Sequence, residues 1–277
     1  MPELPEVETV VRGLEARVAG KRLLRLALNR RDLRKKIPPG LAAKVAGRRV
    51  TRVTRRAKYI LIHLDDGHVL IAHLGMSGRL VLGDARDKAP ELPHDHAVMD
   101  FDDHVELRFN DPRRFGLIDY AAEDALPRHA LFRGLGPEPL DPEFDGAALA
   151  ARLKGKRTPI KAALLDQRVV AGLGNIYACE SLYRAGLSPK RLARTVQGER
   201  AERLARAIKQ VLEHAIASGG SSLRDYVQAS GELGNFQRHF AVYDREGERC
   251  PGCDCRARIR RMVQGGRSTF YCAKRQR

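Results

Sequence analysis

No stretch of this 277-residue chain is long and apolar enough to cross a bilayer; the run around Leu61 and Leu70 is broken by Asp65 and Asp66. The opening residues, MPELPEVET, are acidic and short of apolar side chains. Neither a secretion signal nor a transit peptide is expected there, and a cytoplasmic protein is. The sequence shows no internal repeat and no low-complexity tract. Cysteine is scarce: Cys179 stands alone in an apolar helical pattern, and Cys250, Cys253, Cys255 and Cys272 crowd the last 28 residues. A disulfide framework is not expected in a cytosolic chain, and thiols clustered at short spacing suit a structural metal ion better. Acidic residues are short as well. Lys and Arg number 51 against 34 Asp and Glu, a net charge of +17. That surplus points to a polyanion, with nucleic acid first. Charge alone does not separate DNA from RNA or from an anionic membrane surface.

What remains is an ordinary globular composition, 43% hydrophobic and 31% charged, with enough chain for two domains. Val7, Val10, Val11, Leu14 and Val18 recur at helical steps, so residues 5 to about 19 read as a helix stopped by Gly20. The period then changes. Strands are predicted over 22–29, 48–53, 59–64, 68–74, 97–101 and 105–109, with Asp65-Asp66-Gly67 as a hairpin turn. Many short strands in about 100 residues imply a β-sandwich or barrel with the first helix packed on it. Pro127, Pro137, Pro139 and Pro142 mark a linker. Helices are predicted over 144–153, 159–166, 175–185 and 198–218. A polar loop from Gly219 to Gln237 follows, and short strands return from Ala241 with the cysteines. The fold class is therefore α+β. The expected boundaries are 1–125 for the sandwich, 126–142 for the linker, 143–240 for the helical domain and 241–277 for a terminal hairpin.

Several residues invite a chemical reading. Removal of Met1 exposes the secondary amine of Pro2, a nucleophile for an electrophilic carbon such as a sugar C1′. Its iminium stays cationic without protonation. Glu3 and Glu6 flank it and can move protons; equally, proline and glutamates at a helix start are common capping chemistry. Lys58 begins a strand, where it can act as acid, base or phosphate holder, or simply discourage edge pairing. Met76 and Phe115 lie in the glycine-flanked segments His73–Gly78 and Asn110–Gly116. Such apolar groups either wedge into a base stack or belong to the core. Arg113 can hydrogen-bond a base edge or be plain surface charge. Gly172-Leu173-Gly174-Asn175 precedes a helix, so it suits phosphate binding, and Asn175 suits an N-cap. Cys250-Pro-Gly-Cys253 has zinc-knuckle spacing, and Cys272 follows after eighteen residues. Residues 245–277 carry ten Lys/Arg against three Asp/Glu, a composition suited to gripping a duplex.

Together these motifs resemble the formamidopyrimidine-DNA glycosylases, bacterial base-excision repair enzymes. The likeness runs through Met1–Thr9, Arg55–Tyr59, His73–Gly78, Asp111–Gly116, Gly172–Tyr177 and Gly265–Cys272. The related endonuclease VIII branch shares the N-terminal proline and the helical motif, but Leu4–Thr9 and Asp111–Gly116 look like the formamidopyrimidine branch. The resemblance implies an N-terminal catalytic β-sandwich, a helix-two-turn-helix domain and a zinc-finger β-hairpin holding one structural Zn2+.

It also implies roles. Pro2 would form a Schiff base with C1′, Glu3 would protonate the sugar ring oxygen, and Glu6 would support the proline end. Lys58 would assist β-elimination, and Arg267 would grip a phosphate and assist δ-elimination. His94, Arg157 and Asn175 would contact the DNA backbone. Arg113 would read the orphaned cytosine while Met76 and Phe115 fill the gap, and the loop Ser221–Gln237 would close over the flipped base. The partner would be damaged double-stranded DNA, met by a monomer at the bacterial nucleoid. One departure stands out: Arg275 occupies the place where the family's last cysteine is expected, and an insertion after Cys253 carries Cys255. Cys250, Cys253, Cys255 and Cys272 are the expected ligands, with Cys255 supplying the fourth thiolate; the alternative is a three-thiolate site completed by water or another side chain. Two rivals stay open: an endonuclease VIII-type glycosylase for oxidised pyrimidines, and a non-catalytic zinc-ribbon protein that binds damaged DNA.

Overall fold

The computed structural model describes residues 1–87, 90, 92–222, 229, 234–252 and 256–277. Contacts divide the chain into two units, Met1–Arg133 with Ser218–Asn235, and Gly134–Ala217 with Phe236–Arg277.

The first unit opens with helix α1 (Leu4–Val18), whose Val7, Val10, Val11, Leu14 and Val18 are all buried on one face. Then come β1 (Leu23–Leu28), a five-residue helix α2 (Leu41–Val45), β2 (Val50–Arg56), β3 (Tyr59–Leu64) and β4 (His68–His73). β5 (Arg79–Asp84), β6 (Asp95–Phe101), β7 (Val105–Asn110) and β8 (Leu117–Ala122) complete it. They form two four-stranded antiparallel sheets, ordered β1-β6-β7-β5 and β2-β3-β4-β8. Both sheets and α1 supply one core, with Ile60, Ile62, Leu107, Phe109 and Leu14 each at 1% exposure or less. Each such side chain contributes about 1.5–3 kcal/mol through burial. β3 and β4 are joined through Asp65-Asp66-Gly67, where Gly67 takes φ +76° and the Asp66 carboxylate accepts the His68 N–H. α2, β5 and β8 were not foreseen. β5 and β8 flank the motifs read for chemistry, and each is only half-buried along most of its length, so neither shows clean alternation.

The second unit contains α3 (Gly146–Leu153), α4 (Ile160–Leu165), α5 (Asn175–Arg184), α6 (Glu199–Ala217), and a two-stranded ribbon of β9 (Arg260–Gln264) and β10 (Arg267–Tyr271). Asp145 caps α3 by accepting the Ala148 N–H. α6 buries Leu204, Ile208, Val211, Leu212 and Ala215 along one stripe and leaves its charged residues outside. α5 packs on β10, and their shared core holds Cys179, Tyr183, Val242, Ile259 and Phe270 with Cys250 and Cys272. Among the described residues no helix is long and apolar enough to cross a membrane.

The units do not coincide with the segments expected from sequence. Residues 218–235 join the sandwich, because Ser221 hydrogen-bonds Glu6 and the Ala229 carbonyl accepts the Leu82 N–H. The hairpin groups with the helices, because α5 holds it, as described below.

Candidate active site and nucleic-acid interface

The N-terminus is an enclosed polar site. Pro2 is buried, and Glu3 and Glu6 are 4% and 2% exposed. Glu6 does perform the helix-start chemistry: its Oε2 accepts the Glu3 N–H at 2.9 Å. That ordinary role uses one oxygen. The other, Oε1, accepts both the N–H and the Oγ–H of Ser221, at 2.8 and 2.9 Å. A carboxylate accepting three donors is fixed in direction. Through it the backbone beside Pro2 is tied to a residue 215 positions away. Ser221 had no signal of its own in the sequence.

Lys58 lies in the turn between β2 and β3 and is buried, not exposed at a strand edge. Arg55 braces this turn. Its Nε binds Glu8 of α1 at 2.9 Å and its Nη1 donates to the Ala57 carbonyl at 2.9 Å, while Ala57 takes φ +52°. The buried His73 at the end of β4 is held at a pKa of about 4, through burial first and then the charges of Lys58 and Arg34. His73 is therefore neutral near pH 7. Its Nδ1 accepts the Gly75 N–H at 2.9 Å, which leaves the proton on Nε2 as a donor. Arg34 is anchored by its own N–H to the Gly116 carbonyl. His73 and Arg34 were missed as individual site residues; only the charge run around Arg34 and the motif around His73 hinted at them.

Met76 and Phe115 are not core residues: they are 39% and 44% exposed, against near-total burial of the apolar side chains around them. The Arg113 guanidinium lies over the Phe115 ring, 5.1 Å from its centroid. The two turns that carry them abut. Gly75 takes φ +62°, and a Cβ there would overlap the Phe115 carbonyl carbon. His94 is exposed with φ +75°, and its carbonyl accepts the Asp111 N–H at 3.1 Å.

In the second unit, Arg157 is exposed in the segment joining α3 to α4. Asn175 is not the N-cap expected of it; Gly174 holds that position and Asn175 is the first helical residue. Its amide nitrogen donates to the Ser268 carbonyl of β10 at 3.0 Å. One residue earlier, Arg267 is exposed at the start of β10, just after Gly265 and Gly266 at φ +55° and +72°. Two left-handed residues in a row make the tight turn that needs glycine. Glu180 of α5 accepts the N–H groups of Ala241, Val242 and Tyr243 at 2.8–2.9 Å. Burial raises its pKa despite those three donors.

Two of the four predicted metal ligands can be placed. Cys250 and Cys272 are both buried and hydrogen-bonded to each other. Burial pushes the Cys250 thiol up, but the Tyr183 hydroxyl at 3.3 Å, the Gly252 N–H, Cys272 and the Arg275 charge outweigh it and hold it low. Those are surroundings in which a thiolate ligand fits. Cys253 and Cys255 lie outside the described residues, and among the described ones no group of three or more metal-binding side chains occurs. Arg275 is pinned at three points: Nη1 to the Gly252 carbonyl at 2.6 Å, Nε to the Tyr183 carbonyl, and its guanidinium over the Tyr183 ring.

Comparison with known proteins matches this arrangement end to end. Residues 1–118 fit the formamidopyrimidine-DNA glycosylase N-terminal domain, and 135–227 fit the H2TH domain of the same enzymes. The formamidopyrimidine-DNA glycosylases of Rhodospirillum centenum and Acidiphilium cryptum are each 56% identical, with all of both chains covered. A Lactococcus lactis variant in complex with Fapy-dG-containing DNA superposes at TM-score 0.90 and 33% identity over the full length of both chains. The Thermus thermophilus protein does so at 0.87 and 42%, covering 99% of this chain and 98% of its own. The buried proline end, the exposed Met76 and Phe115 turns and the anchored basic hairpin thus lie on a backbone and a sequence shared along the whole length, and the chain belongs to the formamidopyrimidine-DNA glycosylase family.

Proposed function

We propose that this protein is a base-excision repair glycosylase that removes oxidised purines, 8-oxoguanine and formamidopyrimidines, from duplex DNA and then cleaves the strand as a lyase. The observation that carries the reading is the Glu6 carboxylate, which holds the Pro2–Glu3 backbone in an enclosed polar site at the chain start.

In this reading the base is first rotated out of the stack, at a cost of a few kcal/mol. Met76 and Phe115 fill the vacated space, and Arg113 meets the orphaned cytosine. The Pro2 nitrogen, freed by removal of Met1, bonds to C1′ as the glycosidic bond breaks and the base departs with a proton. Glu3 protonates the ring oxygen and the sugar opens to an iminium. Loss of a C2′ proton then expels the 3′ phosphate, with Lys58 assisting. A second elimination expels the 5′ phosphate, with Arg267 gripping it. Water releases the sugar fragment and returns the amine. His73 Nε2–H, His94, Arg157 and Asn175 supply donors to the backbone phosphates; a neutral imidazole with its proton fixed on one nitrogen suits that task.

The hairpin holds one structural Zn2+, which supplies a cross-link and no chemistry. Cys250 and Cys272 are two of its ligands, and Cys253 and Cys255 complete the set. Native mass spectrometry of Cys255→Ser checks this: a full zinc complement in that variant removes Cys255 from the list.

The deciding experiment is a borohydride trap on a duplex with one 8-oxoguanine opposite cytosine. A covalent protein–DNA band is expected, and its loss is expected in Pro2→Gly with Met1 retained, where no free amine stands at position 2. Tight binding with no band favours a non-catalytic damage binder. A second substrate class belongs in the same assay. One similar structure, the Lactococcus lactis enzyme at TM-score 0.89 and 33% identity, contains an oxidised-pyrimidine DNA. A band on such a duplex alone moves the preference to oxidised pyrimidines.

A further inference from the structure

The two wedge turns are joined by more than contact. Asp111, wholly buried, stands between them. Its Oδ1 accepts the Ser77 Oγ–H at 2.6 Å, and its Oδ2 accepts the Gly116 N–H at 2.8 Å. The Ser77 oxygen in turn accepts the Arg113 N–H at 3.1 Å. The Asp111 carbonyl accepts from His96 Nε2 at 2.8 Å and from the Arg114 N–H at 3.2 Å. Ser77 is thus both donor and acceptor, one residue from Met76 on one turn and bonded to the backbone of Arg113 on the other.

A hydroxyl of this size is the smallest side chain that does both. Ser77 is 5% exposed, so water does not readily stand in for it. Arg113 has a long, exposed side chain whose guanidinium is steered, among the described residues, by the Phe115 ring. A small tilt of its peptide therefore becomes a large displacement at the guanidinium. Misplacement of about 1 Å is enough to cost orders of magnitude in a positioned reaction.

We propose that Ser77 is a positioning residue for opposite-base specificity: its hydroxyl couples the Met76 turn to the Arg113 turn, so that the gap is filled and the orphaned base is read as one event. The proposal rests on the reading of Met76, Arg113 and Phe115 given above. Ser77 touches no substrate in it. Its prediction is selective: excision from a lesion opposite cytosine suffers, whereas strand cleavage at a preformed abasic site, which needs no base to be turned out, is spared.

The test compares single-turnover rates of the full chain and Ser77→Ala on three duplexes: 8-oxoguanine opposite cytosine, 8-oxoguanine opposite adenine, and an abasic site. The preference for cytosine over adenine is expected to fall about tenfold, with abasic-site cleavage within about twofold of wild type, on the scale of one lost buried hydrogen bond. An unchanged preference, or an equal fall on all three duplexes, overturns the proposal. If Ser77→Ala does not fold, Ser77→Cys serves, since its thiol is a weak donor and acceptor of similar size. The same loss of preference is expected, and a wild-type preference overturns the proposal. A wild-type chain that cuts neither lesion duplex brings down the parent reading, whereas a cytosine-preferring wild type matched by Ser77→Ala brings down this one alone.

Discussion

The proline end and the cysteine hairpin are built on opposite plans. At the proline end the groups given chemical roles are themselves buried, and the carboxylate of Glu6 has its oxygens committed to backbone and hydroxyl donors. At the hairpin the residue given a role, Arg267, is exposed at a glycine turn, and the fixed polar contacts lie at the root, in Asn175, Glu180, Cys250 and Cys272. A group that moves protons to a particular atom gains from a rigid, dry setting, where electrostatic interactions are strong. A group that grips a phosphate needs reach and charge, and only its anchor must be rigid. The two plans fail differently when broken.

The largest effect is expected at the proline end. Glu3→Gln keeps the size and the backbone N–H that Glu6 accepts, but it cannot deliver a proton. Excision of 8-oxoguanine is expected to slow by about 10²- to 10⁴-fold while duplex affinity holds. Parallel losses in rate and affinity would show that Glu3 serves the fold instead.

The hairpin breaks at its root. Glu180→Ala leaves three backbone donors at 241–243 without their acceptor, a loss of about 3 kcal/mol or more. The urea midpoint is expected to drop, and DNA affinity to weaken with it. Arg267→Ala, by contrast, is expected to weaken phosphate binding with the midpoint unmoved. Equal midpoints for the two variants would erase the distinction between root and tip.

These two regions were also unequally legible in the sequence. The apolar face of α1 and the runs in β3 and β4 announced themselves by periodicity, and the two exposed turns by the glycines around Met76 and Phe115. What the sequence hid was pairing over distance. Glu6 and Ser221 lie 215 residues apart, and Glu180 lies 61 or more from the amides it accepts. No local pattern links such partners, because the fold alone brings them together. Asn175 shows the converse. A helix-start asparagine reads as a cap, but the tertiary bond to Ser268 takes its side chain. For His73 the residue was visible within its motif, but its protonation state was set by burial, Lys58 and Arg34, none of which periodicity reveals.

That protonation state sharpens the comparison by pH. Folding holds His73 neutral down to about pH 4, whereas the unfolded chain protonates it near pH 6.5. Below pH 6.5 the unfolded state therefore binds the extra proton first. The stability tied to this group is complete above pH 6.5 and drains away as pH falls toward 4, by up to about 3 kcal/mol. Urea midpoints measured across that window should fall less steeply in His73→Gln than in wild type. An identical slope would place the acid sensitivity elsewhere.

The smallest effect is expected at Arg275, where the hairpin has a guanidinium in place of a fourth regularly spaced thiol. Arg275→Ala removes charged hydrogen bonds to the Gly252 and Tyr183 carbonyls and a cation–π contact with the Tyr183 ring. Together they contribute about 1–2 kcal/mol. Glu180 and Asn175 stay in place, so the root holds, and a fall of that size in the urea midpoint is expected with DNA affinity nearly unchanged. Arg275→Cys restores the regular spacing and removes the clamp together. If the clamp is what fastens the Gly252 turn, Arg275→Cys should match Arg275→Ala when stripped of metal by a chelator and recover when zinc is returned. Recovery without zinc would show that the turn is held by its own backbone and that Arg275 contributes nothing there.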